Sequence, residues 1–237
     1  IRTKNYRLAL CGIGVSNLAA WLAYYSLRRQ GYPLELVAEI GYYGYSPQPA
    51  DPYVFNLRNI PSCRMISDIF TSLAVFMSGA QTSSVGILGA GQVDKFGNVN
   101  TTKISAAGPY LVGSGGANDV ASGSSEVIVT LEQSKERFLE KVDYITSPGI
   151  RVSTVVSQCG IFEKEIGGNE LILTGYVPFR NGASEEESVR NIKESCGWKL
   201  KIKDKLQAIS LPVDEEILFI RCFDPKRYFL GSEESKK

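Results

Sequence analysis

The first forty residues do most to limit what this chain can become. Residues 6–11 (YRLALC) form an apolar run of strand length, and residues 34–38 (LELVA) form a second. Between them Gly12-Ile13-Gly14 makes a turn and Ser16 or Asn17 can cap a helix. Leu18, Leu22, Tyr25 and Leu27 then recur at near-helical spacing over residues 18–30, until Gly31 stops the helix. A strand, a helix and a strand in that order predict an α/β layer: an open, mostly parallel sheet with flanking helices.

The rest of the chain fits this plan. Residues 66–77 read as a helix ended by Gly79, and residues 84–88, 126–131, 152–157, 160–163 and 170–177 read as strands. Residues 133–142 suit a short helix or an edge strand. Ser184 caps a helix running to about Ser195, with Glu185, Glu186 and Glu187 in its first turn and Gly197 as its stop. No repeat or linker divides the chain, which predicts a single domain over residues 1–237 with a solvated tail at 233–237. Because Ile1 leads so soon into a strand, an N-terminal helix is expected to precede it. The stretch 40–63 has no clean period and is rich in Tyr, Pro, Gly and Asn. Loops of that length in a compact domain are functional or disordered, and its aromatics argue against disorder.

Charge and composition exclude several classes. The net charge is +1 with no basic arm, so neither nucleic acid nor an anionic membrane is an expected partner. Charged residues interrupt every apolar stretch well before the roughly 18 residues of a membrane span. There is no histidine, so a Ser-His or Cys-His pair within this chain is impossible, and so is a histidine metal site. The five cysteines are irregularly spaced without a CxxC pair, so no metal site is expected and a reduced, cytoplasmic setting is the simplest reading. Any chemistry in this chain falls to carboxylates, backbone amides or tyrosines.

Two glycine-rich segments follow apolar strands: residues 89–102 (GAGQVDKFGNVNTT) and residues 113–119 (GSGGAND). Glycine permits positive φ and close approach of a ligand to the backbone, and amides at a helix start favour an anion or oxyanion. The alternative is plain tight turns at strand ends. The second segment lacks the third glycine of a dinucleotide fingerprint and the lysine of a P-loop. Glu39 ends the LELVA strand and precedes Ile40-Gly41. In open α/β sheets ligands gather beyond the carboxyl ends of strands, which suits a reactive carboxylate there; a solvated strand-end glutamate is the other reading. Asp94 and Asn98 suit side-chain bonds that hold a turn, and Asp119 suits a helix cap.

The ordered series ILGAGQVDKFGNVNTTKI (87–104), YLVGSGGANDVAS (110–122) and KERFLEKVDYITSPG (135–149) resembles the β subunits of the class I CoA-transferase family, glutaconate CoA-transferase among them. The likeness runs colinearly from Ala9 to about Pro178, and Glu39-Ile40-Gly41 falls at that family's catalytic Glu-x-Gly. It implies the class I CoA-transferase fold, which sugar-phosphate isomerases and sensor domains share. It also implies coenzyme A as a co-substrate with no permanently bound cofactor, acyl-CoA as substrate, and an α subunit as partner in an α2β2 assembly. Glu39 would be the nucleophile that carries CoA. Gly113, Ser114, Gly115, Gly116, Ala117 and Asn118 would line the oxyanion and CoA site, with Gly12, Gly14 and Gly41 beside them. Tyr144, Ser147 and Pro148 match the family without a chemical role.

Two departures leave the reaction open. Ile40 stands where the transferases usually carry a small or polar residue, and residues 41–59 are unusually aromatic. Tyr42, Tyr43, Tyr45, Tyr53 and Phe55 could wall a large acyl pocket or pack the loop onto the sheet. Arg58 could pair with a CoA phosphate or a substrate carboxylate, and Asp51, Asn56 and Asn59 share its loop. Some branches of the family are two-subunit hydrolases that open a ring of steroid-derived CoA thioesters, and one decarboxylates an acyl-CoA. CoA transfer through a glutamyl-CoA intermediate is therefore the first expectation and ring-opening C–C hydrolysis of a bulky cyclic acyl-CoA the second. A decarboxylase or a non-catalytic ligand-binding protein comes after these.

Overall fold

A computed structural model describes residues 1–105, 108–178, 180 and 182–231. The expected solvated tail at 233–237 lies outside the described residues. In chain order the elements begin with β1 (Leu8–Cys11), α1 (Val15–Arg29), β2 (Glu35–Ala38), β3 (Tyr42–Tyr43), a 3-10 helix (Leu57–Ser62), β4 (Met65–Ile66), a π-helical turn (Thr71–Met77) and β5 (Ser84–Gly89). There follow β6 (Gln92–Asp94), β7 (Val99–Asn100), α2 (Ala117–Gly123), β8 (Glu126–Thr130), β9 (Phe138–Leu139), β10 (Val152–Val156), β11 (Gly160–Lys164) and β12 (Leu171–Tyr176). Last come α3 (Glu185–Glu194), β13 (Ile202–Ala208) and α4 (Asp214–Phe223).

These elements make two compact units. One holds Ile1–Gly89, Gly123–Ser125 and the chain from Pro212 onward; the other holds Ala90–Ser122 and Glu126–Leu211. In the first unit β1 is flanked by parallel β2 and parallel β5, and β3 and β4 extend the β2 side antiparallel. The chain leaves β1 through α1 to reach β2 on one side, and later returns to β5 on the other. That reversal is a topological switch point, where an open α/β sheet leaves a crevice beyond its strand ends.

All four residues of β1 are buried, and so are Leu36, Val37 and Ala38 of β2, as expected for parallel strands covered on both faces. Helix α1 packs through Leu18, Trp21 and Tyr24 rather than through Leu22 and Leu27. The reason is α4, which sequence periodicity did not reveal. Its Phe219 and Phe223 meet Tyr25 at 5.4 and 5.9 Å between ring centroids, and Phe223 meets Trp21 at 5.4 Å. The side chain of Asp224, wholly buried, then accepts N–H bonds from Tyr228, Phe229 and Leu230 and closes the segment after α4.

The helix expected over 66–77 begins later, because Met65 and Ile66 pair with Tyr43 and Tyr42 as a strand. The Ser78 N–H bonds Leu73 O, five residues back, which is the wider π geometry. Gly79 ends the turn as expected, since a Cβ there would stand 2.4 Å from Val75 O.

In the second unit β8 and β10 are parallel, β11 and β12 continue antiparallel, and β13 closes the edge parallel to β12. A small sheet joins β7, β6 and β9. Its strand β9 resolves the ambiguity at 133–142 in favour of a short strand. Phe138 anchors this unit: wholly buried, it stacks on Trp198 at 5.6 Å and tilts against Phe162 at 5.2 Å. Truncating such a side chain leaves a cavity that a packed core cannot refill. Phe138→Ala is expected to cost about 3–5 kcal/mol, read as a lower urea midpoint with an unchanged slope.

Helix α3 carries the expected capping box. Ser184 Oγ accepts the Glu187 N–H at 3.2 Å, and the Glu187 carboxylate accepts the Ser184 N–H at 3.0 Å. The α/β class with parallel strands and flanking helices is thus what the chain adopts. Among the described residues, no helix is long and apolar enough to cross a membrane.

Candidate functional site

The first unit gathers its candidate residues at the carboxyl ends of β1 and β2. The register Leu10↔Val37, carried two residues further, sets Glu39 level with Gly12 on the neighbouring strand. Glu39, Ile40 and Gly41 form a three-residue loop between Ala38 and Tyr42, which face each other across a hairpin. The Gly41 N–H bonds Ala38 O at 3.0 Å and Gly41 takes φ 105° at the end of the loop. A glycine of positive φ in the third position is what such a hairpin demands. Space demands it too, because a Cβ on Gly41 would lie 2.1 Å from Ser67 O.

The hairpin is braced from below. The Arg64 guanidinium pairs with the Glu35 carboxylate at 3.0 Å, with the Glu35 side chain only 12% exposed. The Ser67 N–H bonds Gly41 O at 2.9 Å. Glu39 is half-buried on this braced turn, and Ile40 beside it is exposed.

Gly12 and Gly14 contribute differently from the expectation that their amides face a ligand. The Gly12 N–H already bonds Ile87 O at 2.8 Å, and the Gly14 N–H bonds Asn17 Oδ1 at 2.8 Å. Gly14 takes φ 120°, a conformation that L side chains rarely adopt. Gly12 Cα packs beside the β5 backbone, where an added Cβ would contact Gly89 N at 3.6 Å. The Asn17 N–H bonds Gly14 O at 3.2 Å, which leaves the N–H groups of Val15 and Ser16 as the first-turn donors at the positive pole of α1. Asn17 fixes that turn: its side chain accepts from Gly14 and donates to Pro52 O at 2.9 Å. Ser16 donates instead to Gly12 O at 2.8 Å.

The aromatic loop splits. Tyr45 is wholly buried, accepts the Trp21 Nε1–H at 3.3 Å and lies 3.8 Å from Cys11 Sγ. Tyr42 is buried against it edge-on at 6.3 Å. Tyr43 is half-buried on Phe76 at 4.7 Å, Tyr53 meets Phe229 at 5.3 Å, and Phe55 is half-buried. Arg58 is exposed in the 3-10 helix that Asn56 caps. Asn59, buried, ties the loop together by donating to Val54 O and accepting from Gln48 N. Tyr42 and Tyr45 therefore pack the core rather than a surface pocket.

Burial pushes the Cys11 thiol up to about 12 and the Tyr45 phenol well above its usual range. Both are acids that the fold keeps neutral, so the native state holds these protons to higher pH than the unfolded chain. Their contribution to stability is complete below about pH 9 and is lost as the pH climbs towards 12. The urea midpoint is expected to hold steady up to about pH 8 and to fall above about pH 9. In the native protein iodoacetamide is expected to label exposed Cys222 and spare Cys11.

In the second unit, Gly113, Ser114 and Gly115 are exposed and Gly116 is buried. Gly115 takes φ 50°, and the Ala117 N–H bonds Ser114 O at 3.0 Å as the chain enters α2. Asn118 is a brace: its amide donates to Thr146 O at 2.8 Å. Thr146 Oγ1 in turn accepts the Thr101 N–H and donates to Thr102 Oγ1, each at 2.9 Å. This gives the YITSPG motif a structural role that its sequence did not disclose. Asp94 holds its turn as expected, accepting from Phe96 N, Asn98 N and Asn98 Nδ2. Asp119 sits within the first turn of α2 rather than capping it. Sequence reasoning noted Ile40 only as a departure from the family and gave Ile13 and Val15 no role; all three are branched aliphatics that the structure exposes at the strand ends. Their only signal was apolar residues set next to glycine in turns.

The family model described as Coenzyme A transferase matches residues 64–178. The B-type subunit of 3-oxoadipate CoA-transferase from Pseudomonas knackmussii is 28% identical, over 95% of this chain and 89% of its own length. The B-type subunit of glutaconate CoA-transferase from Acidaminococcus fermentans is 26% identical, over 96% of this chain and 90% of its own. The crystal structure of the latter enzyme superposes with a TM-score of 0.78 at 25% identity, covering 95% of this chain and 91% of the other. The decarboxylase AibA/AibB shares the fold with a TM-score of 0.72 at 22% identity, over 95% and 92% of the two chains. Over nearly its whole length the chain is similar to the B-type subunits of coenzyme A transferases.

Proposed function

We propose that this chain is the β-type subunit of a two-subunit enzyme that moves coenzyme A between carboxylic acids, with Glu39 as the carboxylate that carries it. The observation behind this reading is Glu39 on a braced hairpin turn, level with Gly12 beside the switch point of the parallel strands. A Glu39 oxygen attacks the thioester carbonyl; the C–S bond breaks, CoA leaves as thiolate and a mixed anhydride forms. The thiolate then attacks the Glu39 carbonyl and releases the first acid as its carboxylate, leaving a glutamyl-CoA thioester. The acceptor carboxylate reverses these steps. A carboxylate is already ionised near neutral pH, so no histidine is required.

The developing oxyanion needs fixed donors, and the first N–H groups of α1 are the natural source in this unit. The B-type relatives support an A-type subunit as partner. The assembly we propose for the pair is α2β2. The five cysteines are all free thiols, which supports a reducing, cytoplasmic setting. The ring-opening hydrolase reading has less support, because Tyr42 and Tyr45, two of the five loop aromatics behind it, are core residues rather than pocket walls.

Initial rates with the two-subunit enzyme test the reading. Parallel double-reciprocal lines for donor acyl-CoA and acceptor acid are expected, with label exchanging between an acid and its own CoA ester. Turnover with water alone would point to the hydrolase instead.

A further inference from the structure

We infer that Ile13, Val15 and Ile40 form an aliphatic rim beside Glu39 that holds the acyl part of the substrate and selects an apolar acyl group over a charged one. This rests on the reading of Glu39 as the CoA-carrying carboxylate. The three side chains are 46%, 53% and 40% exposed, and all three stand at the carboxyl ends of β1 and β2. Ile40 follows Glu39 within the same turn. Ile13 sits between Gly12 and Gly14, and its carbonyl would stand 3.8 Å from a Cβ placed on Gly89 at the end of β5. Val15 opens α1, so it shares that helix end with the candidate oxyanion donors.

Branched aliphatics left exposed on glycine-flanked turns gain little by packing within this fold, and exposed aliphatics at a crevice mark a binding surface. Charge points the same way. Residues 8–18 and 36–46 contain no lysine or arginine, and Arg64, which braces the hairpin, is already paired with Glu35, so a second carboxylate on the acyl chain finds no cation within these two turns. The neighbouring tyrosines do not supply the apolar surface, since Tyr42 and Tyr45 face the core. The acyl contact at this edge is therefore aliphatic, and it suits a saturated or alicyclic monocarboxylic acid.

The test uses the enzyme assembled with its A-type subunit, with acetyl-CoA as donor and hexanoate or glutaconate as acceptor. The wild type is expected to favour hexanoate in kcat/KM. Ile40→Ser and Ile13→Ser are each expected to shrink the hexanoate-to-glutaconate ratio by about tenfold, whereas Ile40→Leu keeps it. Ile13 lies outside the Glu39 turn, so its variant separates lost acyl contact from a disturbed turn. An unchanged ratio in both serine variants overturns the inference, and so does a wild-type preference for glutaconate. Loss of the A-type subunit from both variants on gel filtration, with the ratio unchanged, also overturns it and makes the rim an interface. A wild-type enzyme that moves CoA to no acid at all defeats the reading of Glu39 itself, and does so before any variant is made.

Discussion

Glu39→Gln is expected to lower kcat for CoA transfer by at least about 10³-fold while leaving the unfolding midpoint within error of the wild type. The two halves of that expectation have separate causes. Glutamine has the same shape, and Glu39 sits half-buried at the tip of a turn whose geometry is set by Gly41, so folding has little reason to change. The chemistry changes completely, because an amide cannot attack the thioester as an anion and cannot accept CoA as a thioester that an acid can reclaim. Glu39→Asp separates charge from reach. It keeps an ionised carboxylate but withdraws it by one methylene, so it is expected to retain activity between the wild type and glutamine. Equal rates for Glu39→Gln and wild type would move the catalytic carboxylate off this chain.

Gly41→Ala is expected to be the most damaging single-methyl change in this unit, costing about 3 kcal/mol or more and most of the activity. Its φ of 105° lies where L side chains rarely go, and the added Cβ would meet Ser67 O at 2.1 Å. Relief requires either the β3–β4 edge to move away or the turn to flip, and both carry Glu39 with them. Denaturant unfolding and transfer rates measured on the same preparation read the two effects together. Gly31→Ala serves as the comparison: it also has positive φ, at 73°, but nothing stands within 4 Å of its Cβ position. It is expected to cost only about 1 kcal/mol and to leave transfer rates alone.

What could be read from the sequence tracks how local its cause is. Strands β1, β2 and β5 and helix α3 announce themselves by apolar runs, a capping serine and stop glycines within a few residues of one another. Glu39 was legible for the same reason, as a carboxylate directly after an apolar strand and two residues before a glycine. Strands β3 and β4 were not, since each is two residues long and exists only through pairing between Tyr42–Tyr43 and Met65–Ile66. Nor was the fate of the tyrosines. Tyr45 is buried because Trp21 and Cys11 offer its hydroxyl a place, and those partners are 24 and 34 residues distant in the chain. Helix α4 decides which face of α1 is inward, from the far end of the sequence. The amides of Gly12 and Gly14 read as ligand donors until their bonds to Ile87 and Asn17 are seen.

The most direct test of Glu39 as the CoA carrier is to trap the intermediate. The assembled enzyme is mixed with acyl-CoA in the absence of acceptor, quenched with hydroxylamine, digested and examined by mass spectrometry. A hydroxamate is expected on the peptide that contains Glu39, absent without acyl-CoA and absent in Glu39→Gln. An active enzyme whose Glu39 peptide stays unmodified, with the hydroxamate on the A-type subunit or nowhere, would contradict the role assigned to Glu39.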